Sequence, residues 1–462
     1  MSRQRKGGPP ANESYKLELR DAISHFLPHQ GLPLLTGDGR VRWTGRMLAM
    51  LAVLLAWSPC GTLIDRFEQA RAALVCFYGT RRRPGDTPEG FFKALLAHGA
   101  QILIRLCEHW RGCVRRVAGE HWKIEGWTLF GVDGSKFDCP RTEANEKGFG
   151  VSGKNNSGPQ QLLTCLFHVA SGMLWGWARD GVSGDGERSL LKKMLHLLPP
   201  EAMLLADAGF SGYDLLKKLM DRGNSFLIRV GSNVKLIREL GYYVREGKQT
   251  VYLWPLDKQG TYGHKRKLPR SLKSVKLPLV LRLIELKDAK GRPVCLLTNV
   301  LQSSKLSDRS AERMYKLRWG VEVMWRDLKR TMGHHKLRSK TPQRAGAELD
   351  WAMAGLWMLQ LLGGDRMIKR RRCPRSTSRA AALRGVRRAM GGRRRQRQTL
   401  SMELGLASKD QYHRHGSKRA RNYPKKRPQR PPGAPEARMA TTMEKRLIQR
   451  IIEQPPPKSS AA

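Results

Sequence analysis

Four polar residues of the stretch Tyr315–Lys329 have types and spacing that could act on an anionic substrate. The stretch contains one Gly and no Pro, which is typical of a helix. At about 100° per residue, the four side chains share an arc of about 60° on one helix face: Tyr315, Arg318, Glu322 and Lys329. A carboxylate beside two cations and a phenol suits a metal ion and a bound anion. The alternative is an ordinary amphipathic helix with a solvated polar face.

The spacing Tyr-x2-Arg-x3-Glu-x6-Lys resembles the Tyr-Arg-Glu-Lys signature of DDE insertion-sequence transposases, the group that includes the Tn-five transposase. Four identities at fixed spacing make this match fairly specific, and the resemblance covers roughly 125–362. It implies metal-dependent cleavage of DNA at the terminal inverted repeats of an element and joining of a 3′-hydroxyl to target DNA. It further implies a homodimer in the synaptic complex, with two active sites serving two element ends.

Two aspartates complete a candidate metal site with Glu322. Asp133 and Asp207 each follow an apolar, strand-like segment, and both precede Glu322 in the chain. We expect the three carboxylates to hold two Mg²⁺ ions, for which Mn²⁺ should substitute, because Mg²⁺ prefers oxygen ligands. Two such ions can activate the attacking oxygen and stabilise the leaving one in a displacement at phosphorus. The alternative for each aspartate is a simple turn residue.

Three nearby acids are rivals for the same role: Asp138, Asp185 and Glu187. Asp138 lies past the predicted strand in a Cys-Pro segment, and capping of the following helix explains Asp185. We therefore favour Asp133 and Asp207.

The resemblance also assigns DNA contacts. Residues matching Tyr315 and Arg318 contact the strand near the scissile phosphate in the family, and the residue matching Lys329 binds backbone phosphate. Arg clamps phosphate with two hydrogen bonds and Lys acts as a point charge, which fits those roles. Arg326 lies on the same predicted face and could join them, although a solvated arginine is the alternative.

In relatives of this group, an aromatic residue on a β insertion stacks on a flipped base. Trp254 is the candidate for that position, since no other Trp lies between Asp207 and the signature helix. A core tryptophan on a β-strand is the alternative. Lys136 and Lys154 are further candidates for the DNA groove.

The charge of the chain predicts a polyanionic partner. Among 462 residues, 86 Lys and Arg face 39 Asp and Glu, which gives a formal net charge of +47 and a pI near 10.7. Nucleic acid is the partner that best fits this excess. The apolar runs Met47–Trp57 and Trp351–Leu362 are about half as long as a bilayer span, so we expect no membrane anchor. Without a signal-peptide pattern or a Cys-x-x-Cys pair, we expect a cytoplasmic protein. The resemblance to insertion-sequence transposases further implies a bacterial protein associated with the nucleoid.

The element pattern predicts an α/β fold. After Trp127 the order strand, hairpin, helix, strand matches the first half of an RNase-H-like fold. We expect an RNase-H-like catalytic core, a mixed five-stranded sheet with helices, interrupted by a β-rich insertion. A small all-α DNA-binding domain with Arg81–Arg83 at a basic edge precedes this core, and a basic, largely disordered tail follows it. The expected segments are a flexible 1–14, helical domain 15–120, core 121–230, insertion 231–300, core 301–362 and tail 363–462.

The residue pattern is also compatible with two other functions. An RNase-H-like nuclease or a domesticated derivative would cleave DNA without joining it to a target. A non-catalytic basic protein would bind nucleic acid without bringing Asp133, Asp207 and Glu322 together.

Overall fold

The computed structural model describes residues 11–32, 43–78, 84–151, 158–255, 276–288, 291–394, 398–410 and 433–453. Its helices are α1 (Ala11–His25), α2 (Gly45–Trp57), α3 (Leu63–Tyr78), α4 (Pro88–Ala118), α5 (Glu143–Phe149), α6 (Glu187–Met194), α7 (Tyr213–Asp221), α8 (Asp308–Leu317), α9 (Trp319–Arg326), α10 (Pro342–Lys369), α11 (Arg379–Met390), α12 (Leu400–Leu406) and α13 (Thr442–Glu453). Its strands are β1 (Leu129–Asp138), β2 (Gln160–His168), β3 (Met173–Gly181), β4 (Met203–Ala206), β5 (Ser225–Val230), β6 (Lys235–Arg238), β7 (Thr250–Leu253), β8 (Leu279–Lys287), β9 (Pro293–Thr298) and β10 (Glu436–Met439).

The chain divides into two compact units. The first contains 1–124, 133–194 and 319–414, and the second contains 125–132, 195–318 and 415–462. The strand β1 begins in the second unit and continues into the first.

The first unit is mainly helical around α2 and α10. Helix α2 is buried along nearly its whole length because its sequence is apolar on every face. Trp57 at its end donates its indole N–H to the carbonyl of Gly355 in α10 at 2.9 Å. Trp110 of α4 meets Trp357 of α10 edge to face, with ring centroids 5.5 Å apart. The apolar runs Met47–Trp57 and Trp351–Leu362 are therefore core elements of the first unit.

These contacts correct the expected N-terminal domain. The sequence predicted a separate helical domain over 15–120, but its helices share a core with α10 and α11 in the first unit. Helix α4 is long and apolar enough to cross a membrane by length and composition. Leu106, Trp110 and Val114 of this helix are fully buried within the first unit, whereas Leu96 and Ile104 are exposed. The Arg81–Arg83 run lies outside the described residues.

The strands of the first unit run in the order β1, β2, β3. β2 and β3 pair antiparallel, and Gly172 makes the turn between them with a φ of +73°, which favours glycine. This is the hairpin that the sequence predicted. The strand β1 continues to Asp138, whereas the sequence predicted that it would end before Asp133.

The strands of the second unit run in the order β10, β6, β7, β8, β9, β5, β4, β1. The pairs β1–β4 and β4–β5 are parallel. The pairs β5–β9, β9–β8, β8–β7 and β7–β6 are antiparallel. The sheet is therefore mixed, as predicted. The strands expected to form an insertion over 231–300 extend the same sheet from β5.

The expected disordered tail from 363 is wrong for the described residues. Helix α10 continues to Lys369, and α11, α12, β10 and α13 follow. Helix α11 folds because apolar residues at three- and four-residue spacing make one buried face: Ala382, Leu383, Val386, Ala389 and Met390. Its arginines pair with carboxylates elsewhere, as Arg388 does with the buried Glu403. Residues 411–432 of the tail lie outside the described residues.

Candidate active site

Asp133 lies in β1 at the point where burial along this strand ends. Val132 before it is buried and Asp133 itself is half-buried. A Cβ atom on the next residue, Gly134, would overlap the side chain of Glu187 at the start of α6. Because glycine has no side chain, the carboxylate of Glu187 can approach the strand at Gly134, beside Asp133. Sequence reasoning weighed Glu187 as a rival acid but could not place it here.

Glu322 and Lys329 lie in a helix that packs on the same strand. Phe137 of β1 meets Trp325 edge to face at a centroid distance of 5.9 Å. The ammonium of Lys329 lies 4.6 Å from the centre of the Phe137 ring and donates to the carbonyl of Lys136 at 2.5 Å. The first unit therefore brings the strand of Asp133 and the helix of Glu322 together.

The signature helix differs from the single α-helix that the sequence predicted. α8 ends at Leu317, Arg318 has helical dihedral angles, and α9 begins at Trp319. A π-helical turn then spans Asp327–Thr331, where the N–H of Met332 bonds to the carbonyl of Asp327 at 2.9 Å. Because a π turn contains an extra residue, Lys329 leaves the 3.6-residue spacing assumed from sequence. Its ammonium points to β1 as a result.

Asp207 lies in the second unit, directly after β4. Its Oδ1 accepts a hydrogen bond from the N–H of Gly209 at 2.9 Å and so caps a short 3₁₀ turn. Tyr315 lies in the same unit, and burial raises the pKa of its phenol. The positive charge of Arg318 opposes this increase, and the negative charge of Asp207 adds to it. Asp207 and Tyr315 are therefore close enough to interact electrostatically. The phenol stays protonated at neutral pH and can donate a hydrogen bond.

The remaining predicted DNA contacts divide into two kinds. Arg326 is exposed on α9 and available to solvent. Trp254 is 4% exposed, lies in a cluster with Leu447 and Ile448 of α13, and donates its indole N–H to the carbonyl of Lys276 at 2.7 Å. In this conformation its ring is not open to a base, which matches the core alternative. Lys154 lies outside the described residues.

The part of the chain that the structure describes contains no group of three or more His, Cys, Asp or Glu side chains arranged to hold a metal ion. His334, next to a second histidine in sequence, is buried and bonds through Nε2 to the carbonyl of Ala56 at 2.9 Å. This hydrogen bond anchors the ring inside the first unit.

Comparisons with known proteins identify a domain within this chain. Residues 132–359 match the family model described as the transposase DDE domain. This range contains both aspartates and the whole signature helix. Residues 132–359 therefore form a transposase DDE domain, as the Tyr-Arg-Glu-Lys spacing predicted.

Two particular proteins are similar to this chain. The transposase InsG for insertion sequence element IS4 of Escherichia coli (strain K12) is 26% identical over 313 residues, or 64% of this chain and 66% of that protein. The chain thus spans just under two thirds of this relative. A cryo-EM structure of the piggyBac transposase synaptic complex with hairpin DNA is 12% identical, with a TM-score of 0.40, and the match covers 84% of this chain and 74% of that one. The second likeness is too weak to carry an argument.

Proposed function

We propose that this chain is the transposase of an insertion sequence and moves it by a cut-and-paste reaction. It would bind the terminal inverted repeats of its element, cleave there by hydrolysis and join a 3′-hydroxyl to target DNA. The observation that carries this proposal is that the family match spans Asp133, Asp207 and Glu322 in one segment. The net charge of +47 supports DNA as the partner. A homodimer with one active site for each element end is part of the proposal and rests on the resemblance to the family.

The three carboxylates fit a pair of Mg²⁺ ions in donor chemistry, because they offer hard, anionic oxygens. The parallel register of β1 and β4 supports a shared role for the aspartates. Gly131 pairs with Leu205, and each aspartate lies two residues beyond the paired one. Bound divalent ions would activate the attacking oxygen and stabilise the leaving oxygen of an in-line displacement at phosphorus.

Other side chains would hold the DNA strand. The protonated phenol of Tyr315 can donate to a phosphate oxygen, and Arg318 can clamp a phosphate with two hydrogen bonds. Arg326 offers an exposed charge on the helix of Glu322. Lys329 bonds to the carbonyl of Lys136, so it would have to exchange that partner for a phosphate oxygen.

An RNase-H-like core is the fold that we propose for this chemistry. Two observations support it: the order β1, β2, β3 in the first unit, and the parallel order β1, β4, β5 in the second. Asp207 directly follows β4, as the sequence reasoning expected of a catalytic position at a strand end, whereas Asp133 lies within β1.

The test is cleavage of a plasmid that carries the coding region with its genomic flanks, with Mg²⁺ or Mn²⁺ present. We expect Asp133→Asn, Asp207→Asn and Glu322→Gln each to lower cleavage by about 100-fold or more, because metal stabilisation of the reacting oxygens contributes several kcal/mol. DNA affinity should stay close to that of the wild type, since none of these side chains attracts phosphate.

Two matched variants serve as controls. Asp138→Asn lies in the same strand as Asp133 and can still accept the 2.6 Å bond from Gln160. Glu312→Gln removes a carboxylate that pairs with Lys316 on the exposed side of α8. Both should cleave like the wild type. Cleavage without joining to a target plasmid would favour the nuclease alternative, and normal cleavage by the three variants would refute the proposed site.

A further inference from the structure

Helix α4 exposes a row of apolar side chains on the side that faces away from the core of the first unit. Its inner side is buried, as at Leu106. On the outer side, Leu96 is 41% exposed and Ile104 is 59% exposed, and Ala97 and Ala100 between them are exposed as well. Single exposed apolar residues are common on soluble proteins, but a contiguous row on one long helix is a candidate interface.

This outer face of α4 is electrically neutral. At about 100° per residue, six exposed residues share an arc of about 100°: Lys93, Ala97, Ala100, Gln101, Ile104 and Glu108. They contribute one positive and one negative charge, in a chain whose formal net charge is +47. A neutral, mainly apolar face offers little to a polyanion, since affinity for nucleic acid comes mostly from Lys and Arg. The face fits a protein surface better than DNA.

The order of side chains along this face makes it complementary to itself. Suppose that two copies of α4 pack antiparallel, with a two-fold axis between Ala100 and Gln101. Lys93 then lies at the same height as Glu108 of the second copy, and Ala97 at the same height as Ile104 of the second copy. Opposite charges meet at both ends, and each small alanine leaves room for an isoleucine. The two-fold axis makes every such contact occur twice.

The existing partner of Glu108 does not oppose this arrangement. Its carboxylate lies 3.5 Å from the guanidinium of Arg105 in the same helix, and both side chains are more than half exposed. An exposed pair of this kind contributes little to stability. Glu108 can therefore pair with a lysine of a second copy at small cost.

We propose that the outer face of α4 is a contact surface between two copies of this chain. The alanines let the two helix backbones approach closely, and Ile104 of each copy packs beside them. Because residues 93–108 span only about 24 Å of helix, the interface is small and we expect a weak dimer. The inference rests on the homodimer that is part of the proposed function, and it assigns that dimer a surface.

The first test is sedimentation of the full chain across a salt series, without DNA or divalent metal. Self-association should strengthen as salt rises, because salt screens the repulsion between two highly cationic copies while the apolar contact persists. Ile104→Lys should weaken the dimer by about 10-fold or more, since it places an ammonium group twice in an apolar contact. Ile452→Lys is the matched control, because it adds the same charge at an isoleucine of α13 that is 56% exposed. It should dimerise like the wild type.

The second test is crosslinking by mild oxidation, which probes the antiparallel geometry. Ala100→Cys should crosslink two copies, because its position is next to the two-fold axis. Lys93→Cys should not crosslink to itself, since the two positions would lie about 22 Å apart along the helix axes and a disulfide requires Cα atoms within about 7 Å. A mixture of Lys93→Cys with Glu108→Cys should crosslink. The wild type, with its own eight cysteines, gives the background.

Several results would overturn the proposal. They are a wild type that stays monomeric through the salt series, a wild-type dimer in Ile104→Lys, and crosslinking of Ala100→Cys no stronger than the background. Binding of a monomeric wild type to phosphatidylcholine vesicles would also overturn it and would assign the face to a lipid surface. Asp133→Asn should dimerise like the wild type, so a failure of this interface is distinguishable from a failure of the proposed cleavage. Ile104→Lys should keep the wild-type urea midpoint, since Ile104 is mostly exposed.

Discussion

His168 and His334 are two buried histidines that each donate one ring N–H to a backbone carbonyl. Nε2 of His168 lies 3.1 Å from the carbonyl oxygen of Trp122, and its Nδ1 lies 2.8 Å from the hydroxyl of Ser171. Since a carbonyl can only accept, the proton is on Nε2 and the hydroxyl donates to Nδ1. Burial is the main cause that lowers the pKa of His168 to about 3 and that of His334 to about 4. Both rings are therefore neutral in the folded protein at pH 7.

These neutral rings predict a loss of stability in mild acid. An unfolded histidine titrates near pH 6.5, so between about pH 6.5 and 4 the unfolded chain binds more protons than the folded one. Stability is therefore present above pH 6.5 and falls as the pH drops, by up to about 1.4 kcal/mol per pH unit for each ring. Urea unfolding between pH 7.5 and 5 should show this slope.

His334→Gln should reduce that slope by the share of one histidine. Gln can still offer an N–H to Ala56, so gross misfolding is not expected. The neighbouring His335 is exposed, and His335→Gln should leave the slope unchanged. An unchanged slope in His334→Gln would contradict the neutral assignment.

At the scale of elements, a buried ion pair joins the π-helical turn to α11. Nη1 of Arg379 lies 3.4 Å from Oδ2 of Asp327, and their side chains are 5% and 10% exposed. Arg379 also donates to the carbonyl of Gly172 in the β2–β3 turn. Burial raises the pKa of Asp327, and the charge of Arg379 opposes that shift. The pair therefore fixes the end of the signature helix between a hairpin and a C-terminal helix.

Breaking this pair from either side should be costly. Asp327→Ala and Arg379→Ala should each destabilise the protein by about 3–5 kcal/mol, because each leaves a buried charge without its partner. The double variant should lose less than the sum, since neither charge is then left alone. Glu312→Ala, which breaks the exposed pair with Lys316, should cost less than about 1 kcal/mol. Additive losses in urea unfolding would show that the two charges are not coupled.

A second network holds the start of α8 to the sheet of the second unit. Arg282 of β8 is buried and donates to the side chain of Gln249 at 2.7 Å, to the carbonyl of Leu306 at 2.6 Å and to Asp308. A lysine at this position could satisfy only part of this set, because it lacks the planar guanidinium.

We therefore expect Arg282→Lys to destabilise the protein by about 1–3 kcal/mol, through acceptors left buried without a donor. Because α8 carries Tyr315, the variant should also weaken binding of DNA. The control Lys316→Arg replaces lysine by arginine at an exposed position of α8. It should change neither the stability nor the binding of DNA. A wild-type urea midpoint for Arg282→Lys would contradict a positioning role.

Local patterns were enough to predict the strand β4 and the β2–β3 hairpin. Each is a short apolar run bounded by Gly, Pro or polar residues, so the signal lies within the segment itself. The positions of Asp207 after β4 and of Glu322 on a helix could be predicted for the same reason.

The ordered C-terminal region could not be predicted from composition, because its charges are neutralised by distant residues. Arg394 pairs with Glu18, which lies 376 positions earlier. Asp327 of the π-helical turn pairs with Arg379 of α11, and Glu187 approaches Gly134; both contacts join segments that are distant in sequence. Arg-rich sequence predicts disorder only where such partners are missing.

At the scale of the molecule, the N-terminal helices belong to the same core as α10. Trp57 bonds to Gly355, and Arg387 of α11 donates to the carbonyl of Trp57 at 2.7 Å. A deletion of 1–117 would therefore remove core helices and unfold the first unit. Sequence-specific recognition of DNA by this region therefore has to be tested by substitution of exposed residues.

The C-terminal segment has two separable roles, in packing and in charge. Strand β10 pairs in parallel with β6, and α13 buries Leu447, Ile448 and Ile451 against Trp254. Residues 411–462 also contain thirteen Lys and Arg against three Glu. Packing stabilises the second unit, whereas the charge attracts DNA of any sequence.

Truncation after Asp410 should therefore lower stability and DNA affinity together, whereas Leu447→Ala should lower stability alone. We expect the leucine variant to lose about 2–5 kcal/mol in urea unfolding, with the salt dependence of DNA binding unchanged. The truncated chain should bind element-end and random DNA more weakly by similar factors, with a smaller salt slope, because charges that read phosphate carry no sequence information. Ile452→Ala is the control for packing, since Ile452 on the same helix is 56% exposed. Loss of discrimination between the two DNAs on truncation would instead assign specific recognition to the C-terminal segment.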